Sequence, residues 1–381
     1  MTRSAFAFLV LFAVAASAQT PPAASPNADA SWRFVVAGDS RNCGDVIMPA
    51  IAVAAKANNA QFYWHLGDLR AIYEYDEDMV QGAILDGKPL NVSTYLKTVW
   101  PDAIQQQFKP FAPIPVYVGI GNHETIYPKT REQFIKAFSA YLDQPAIRDQ
   151  RLRDDPSDKT VHAYYHVVSR GIDFITLDNG SCDMFDEPQV IWLEKLLKHD
   201  GSDPTIRTVV VGMHAALPNS LACGHSMSNY PRQLESGTRV YHDLLDVRDK
   251  SHKLVYVVAS HSHFVMGNVY DSDYWQKNGG VLPGWIVGTS GAIRYRLPDT
   301  ATPGAKTDVY GYLLATVDPP GSAPGTIAFE FKEITPADIP AEVNKRYSSN
   351  FVTTFCFACN RSISTQQGTC PQVEECKTGE Q

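Results

Sequence analysis

An α/β fold built on a mixed sheet is what the amino-acid sequence predicts, and three observations predict it. Short β-branched and aromatic runs, several bounded by Gly, Asp or Asn, recur along the chain. Stretches with apolar residues at three- and four-residue spacing lie between them, the alternation of a parallel or mixed sheet covered by helices. Two late runs follow each other with no helical stretch between, which adds an antiparallel edge or a second sheet.

Taken in order, strands are expected at residues 34–37, 62–66, 116–118, 164–168, 174–177, 208–211, 254–259 and 285–287, and the consecutive pair at 311–317 and 326–332. Helices are expected at 46–57 and 190–198, with a weaker pattern at 235–247. Two stretches break the rhythm. Residues 70–113 carry the acidic cluster Glu74, Asp76, Glu77 and Asp78 among aromatic residues, and residues 216–232 are rich in Asn, Ser, Pro and Gly. Both read as long surface insertions, a place where function often resides, and the acidic cluster reads as a solvated face.

Ahead of the first strand, Arg3 precedes an apolar run from Ala5 to Ala15 and the small residues Ala16-Ser17-Ala18. This is the pattern of a secretory signal peptide, so residues 1–18 are expected to be removed and the protein to be secreted or periplasmic. The run is shorter than the about 20 residues that span a bilayer; a retained membrane anchor is the alternative. Residues 19–30 are a Pro/Ala-rich linker. The folded domain is expected over 31–335 and a Cys-rich tail over 336–381. Cys43, Cys182 and Cys223 are scattered, whereas Cys356, Cys359, Cys370 and Cys376 form a group. Disulfides are the expectation for an exported chain, with a structural zinc site as the alternative for the group.

The chain has 381 residues, 44% of them hydrophobic, enough for one large core. With 33 Lys and Arg against 41 Asp and Glu, the net charge of -8 argues against a nucleic-acid or anionic-membrane binder, which needs a basic face.

In an open α/β sheet, ligands bind at the carboxyl ends of the strands. Gly38-Asp39-Ser40-Arg41 follows the first strand, Gly67-Asp68 the second and Gly121-Asn122-His123-Glu124 the third; His214 and His261-Ser262-His263 follow later ones. A Gly-Asp after a strand is usually a turn, and a lone His is usually structural. Five such segments in order, each just past a strand, assemble oxygen and imidazole donors suited to divalent metals.

These segments resemble the blocks of the calcineurin-like metallophosphoesterase superfamily, which includes purple acid phosphatases. The family's blocks are Asp-x-His, Gly-Asp, Gly-Asn-His-Asp/Glu, a single His and Gly-His-x-His. The run Gln189 to Glu194 is similar to a helix of that family. The resemblance implies a four-layer sandwich of two mixed sheets flanked by helices, and a dinuclear centre of Fe, Mn or Zn. One metal would be held by Asp39, Asp68 and His263, the other by Asp68, Asn122, His214 and His261. Two such cations, about 3.5–4 Å apart, yield a metal-activated hydroxide and neutralise phosphoryl oxygens. His123 would protonate the leaving oxygen or steady the transition state, oriented by Glu124 or another carboxylate. The substrate would be a small-molecule or lipid phosphate ester.

Two departures from the family's blocks stand out. Arg41 occupies the place of the first block's metal-binding His, and a guanidinium has no lone pair to give. The Tyr that purple acid phosphatases place three residues after the bridging Asp is Ala71 here, with Tyr73 nearby. Ser260 replaces a Gly in the last block. The first metal site is therefore expected to hold its ion weakly, to take an extra water or to stay empty, and Arg41 to grip phosphate oxygens, with a salt bridge to a surface carboxylate as the alternative. Two rival readings remain: a Gly-Asp-Ser esterase with Ser40 as nucleophile and Asp249 and His252 behind it, and a catalytically decayed binding protein on the same fold.

Overall fold

The computed structural model describes residues 31–222 and 224–362. The leader, the linker, Cys223, Cys370 and Cys376 lie outside the described residues. Eleven strands are described: β1 (Trp32–Ala37), β2 (Ala60–His65), β3 (Val116–Val118), β4 (Tyr165–Ser169), β5 (Ile172–Thr176), β6 (Thr208–Met213), β7 (Leu254–Ala259), β8 (Val265–Gly267), β9 (Gly284–Val287), β10 (Tyr310–Val317) and β11 (Ile327–Ile334). They form two mixed sheets, ordered β11-β10-β1-β2-β3 and β4-β5-β6-β7-β9-β8. β1, β2 and β3 are parallel, as are β5, β6, β7 and β9, while β10 and β11 form the expected antiparallel pair. Short β8, three residues with no apolar alternation to announce it, was not foreseen.

Phe34 and Phe62 of the first sheet stand edge-on to Phe174 of the second, with ring centroids 5.2 and 5.1 Å apart. Trp64 donates its indole N–H to Thr176 Oγ1 at 3.0 Å. Its ring lies so close to Gly212 that a Cβ there would sit 2.3 Å from it, so only glycine lets the sheets approach at this point. The helices Gly44–Ala57, Glu187–Ser202 and Pro231–Ser251 match the three expected ones, longer by two, seven and eight residues in that order. No helix among the described residues is long and apolar enough to cross a membrane.

The stretch 70–113 is not a surface loop. It folds into the helices Glu77–Leu85 and Val92–Ala103 and a wide helical turn, and it buries Tyr95, Trp100, Phe108 and Phe111. Its acidic cluster is not a solvated face either, because Asp76 and Asp78 are fully buried. Asp78 and Asp45 pair with the buried Arg70 at 2.9 and 2.5 Å, and Asp102 pairs with it too. Asp76 accepts from Tyr95 Oη and from the amides of Asn42 and Ala71.

Residues 336–362 pack on the domain. Cys356 is buried and disulfide-bonded to Cys43, 313 residues earlier, so the bond joins one of the scattered cysteines to the C-terminal group. Cys182 is also disulfide-bonded, and Cys359 is exposed and free.

At the outer edge of the second sheet, His166 is buried between Asp173 and Asp154, at 2.8 and 2.6 Å. Burial opposes its charge, but the two carboxylates prevail and push it up to about 10. Asp200, raised to about 8 by burial and by Asp173, ionises at lower pH than His166. Both folded-state values lie above the unfolded ones. Their contribution to stability is therefore complete at low pH; that of Asp200 is lost as pH rises to about 8 and that of His166 as pH rises to about 10. Urea unfolding should show stability falling between pH 7 and 10, with a flatter fall in His166→Gln. Equal slopes in the two proteins would refute the assignment.

Candidate metal centre

β1, β2 and β7 each run out into a left-handed residue: Asp39 (φ 61°), Asp68 (φ 60°) and His261 (φ 64°). Such a conformation costs a non-glycine residue roughly 1 kcal/mol and persists where its surroundings hold it. Hydrogen bonds between the loops do so here. Asp39 N donates to Gly67 O, Ser40 N to Asp68 O and His261 N to Asp39 Oδ2. A Cβ on Gly67 would lie 2.4 Å from Gly121 N, and one on Gly121 2.3 Å from Asp68 Oδ1. That close approach is why glycine precedes both Asp68 and Asn122.

The loops bring one donor atom each of Asp39, Asp68, His214 and His261 within 4.8 Å of one another. Asn122 joins them, its Oδ1 lying 3.0 Å from His214 Nε2, which is also 3.4 Å from Asp68 Oδ1. His214 Nδ1 faces Leu66 O and Ser260 Oγ at 3.0 and 3.1 Å. A carbonyl only accepts, so Nδ1 carries a proton and Nε2 is turned towards the oxygens. Burial opposes charge on this ring, yet Asp68, Asp39 and Asp183 raise it to about 10. His261 is held well below the usual range by burial and by His214 and His225, and its Nδ1 is buried without a hydrogen-bond partner. Asp39 Oδ1 and Asp68 Oδ2 are likewise buried acceptors without a donor. Orphaned acceptors converging in this way suit a cation, and Asp68, Asn122, His214 and His261 fit one.

The other side of Asp68 is different. His263 stands outside the group of four, with its Nε2 3.2 Å from Asp39 Oδ1 and 3.0 Å from Arg41 Nη2. Arg41 is buried rather than on the surface. Its Nη1 reaches His123 Nε2 at 2.7 Å and its Nε lies 3.7 Å from Asp68 Oδ2. Glu124 does not orient His123, contrary to expectation. Its carboxylate accepts from the amides of Asp68, Leu69 and Gly121 at 2.9, 2.9 and 2.8 Å, clamping two loops together. Ala71 O fixes the His123 ring instead, at 2.7 Å from Nδ1.

The family model for calcineurin-like phosphoesterases matches residues 33–265, which contain every one of these side chains. The chain belongs to the calcineurin-like phosphoesterase family. No curated protein sequence matches it. Among solved structures it is similar to PhoD, at 13% identity and a TM-score of 0.47 over 83% of this chain and 73% of that one. It is also similar to a dimetal phosphatase from Danio rerio, at 13% identity and a TM-score of 0.45 over 80% and 98%.

This calcineurin-like phosphoesterase is a metal-dependent hydrolase of phosphate esters. Ser40 has no part in a serine mechanism. Its side chain is fully buried, its Oγ donates to Gln107 Oε1 at 2.7 Å, and the nearest imidazole, His65, is held down to about 3 by burial. Three further residues surround the centre that the sequence did not mark, and a fourth, Ser260, was marked only as a departure from the family's glycine. Tyr295 stacks on His263 with centroids 4.0 Å apart, and His225 stands edge-on to His261 at 4.9 Å. Asp183 Oδ2 lies 3.8 Å from His261 Nε2. Ser260, where the family has glycine, supports His214. Of Tyr295, His225 and Asp183, only His225 carried a signal, through its place in the insertion at 216–232.

Proposed function

We propose that the protein cleaves phosphate esters of small molecules or lipids with a cation held by Asp68, Asn122, His214 and His261, and Arg41 facing the phosphoryl group. The convergence of donor atoms from four separate loops, three of which bring a buried acceptor with no hydrogen-bond partner, carries this reading. Bound there, the metal supplies positive charge to phosphoryl oxygens and makes water more acidic. Arg41 adds a fixed charge beside it. With Nδ1–H committed to Ala71 O and Nε2 accepting from Arg41, a neutral His123 has no N–H for a leaving oxygen. In this arrangement it steadies the guanidinium; burial, with Arg41, holds the ring down to about 4 against the pull of Asp68.

The N-terminal charge, apolar run and small residues, together with disulfide-bonded Cys43, Cys356 and Cys182, support a secreted or periplasmic location. The material for assay is then the exported protein, with Gln19 as its first residue. Aryl mono- and diesters should be hydrolysed by it and spared after treatment with a chelator. Ser40→Ala should stay within about threefold of the parent, because Ser40 is a packed hydroxyl. Hydrolysis that survives chelation and vanishes in Ser40→Ala would overturn the proposal in favour of a serine esterase.

A further inference from the structure

We infer that the guanidinium of Arg41 takes the place of one of the family's two metals, so that the centre binds a single ion per chain. The inference rests on the metal-dependent reading above. The residues left for a first metal are Asp39, Asp68 and His263, and Arg41 is already among them.

Tautomers decide the matter. His263 Nδ1 faces Ile293 O at 2.6 Å and His123 Nδ1 faces Ala71 O at 2.7 Å. Both carbonyls are acceptors, so both Nδ1 atoms carry protons and both Nε2 lone pairs point elsewhere. They point at Arg41, whose Nη2 and Nη1 lie 3.0 and 2.7 Å from them. A metal–imidazole bond is about 2.0–2.1 Å long, and a lone pair that accepts an N–H at 3.0 Å has no space for one. Asp68 Oδ2, at 3.7 Å from Arg41 Nε, faces the same charge. A guanidinium is always charged and never a ligand, so it neutralises these acceptors and excludes a metal from them at once.

Nor is Arg41 poised to swing away. Its neighbour Asn42 is pinned by Asp76 through the amide at 2.8 Å and by Glu77 through the side chain at 2.8 Å. Cys43, next along, is covalently tied to Cys356. The first-block loop is thus fixed on both its backbone and its covalent side, with the guanidinium 4% exposed beneath it.

The test counts metal. The exported protein is stripped, reloaded with Mn²⁺, desalted and analysed for manganese per chain, with the electron paramagnetic resonance spectrum recorded alongside. The wild type should hold one equivalent with the spectrum of an isolated ion. Arg41→His, which restores an imidazole in place of the guanidinium, should hold two, spin-coupled through Asp68. Two coupled ions in the wild type would overturn the inference and leave the hydrolase reading standing. So would a single ion in a folded Arg41→His. No bound manganese in the wild type would remove both. Should Arg41→His fail to fold, the wild-type count decides by itself.

Discussion

Asp68→Asn is expected to lower kcat/KM for an aryl phosphate ester on the order of a thousandfold. The substitution keeps the shape and the oxygen that accepts from His123 N at 3.0 Å, so the fold should survive. It removes the one negative charge that faces both halves of the centre, Oδ1 towards His214 at 3.4 Å and Oδ2 towards Arg41 at 3.7 Å. The carboxylate is held far below the usual range: burial opposes its charge, and His123, His214 and Arg41 more than compensate. An amide answers none of these. Metal content measured on the same sample should fall with activity. A folded variant that keeps more than a tenth of the parent rate would show that Asp68 is not a metal ligand.

Arg70→Met should destabilise the protein by about 3–5 kcal/mol, because breaking a buried ion pair leaves its partners charged and unmatched. Arg70 is fully buried and holds Asp45, Asp78 and Asp102. Burial raises Asp45 to about 6, and burial with the neighbouring Asp45 raises Asp78 well above the usual carboxylate range, with Arg70 as the main opposing influence on each. The triple variant Arg70→Met, Asp45→Asn, Asp78→Asn should recover part of the loss, since no unpaired charge then stays inside. Guanidinium chloride unfolding measures both. A loss below about 1 kcal/mol in Arg70→Met would mean that the cluster is no brace.

The strands that carry the centre were legible because each is a short apolar run ended by polar residues, with a glycine just before them in the first three, a local signal. Asp39, Asp68, Asn122, His214 and His261 could be named from position alone, since the sheet delivers strand ends to one edge. The insertion at 70–113 was not legible. Gly82 and Pro101 interrupt its helical patterns, and four acids in five positions look solvated until Arg70 is placed among them. His263 shows the same limit. Its two-residue spacing from His261 suggested a shared role, but which lone pair meets which cation is settled by Ile293 and Arg41, neither of which its own neighbourhood in the chain announces. Tyr295 and Asp183 reach the centre only through loop paths that have no periodicity.

The bond between Cys43 and Cys356 also sets an order of events. A ribosome delivers the Arg41 loop more than three hundred residues before the thiol that will fasten it, and Cys182 emerges in between. Oxidation following the order of emergence would join Cys43 to the wrong neighbour. Reaching the native link from there takes thiol exchange after Cys356 has emerged.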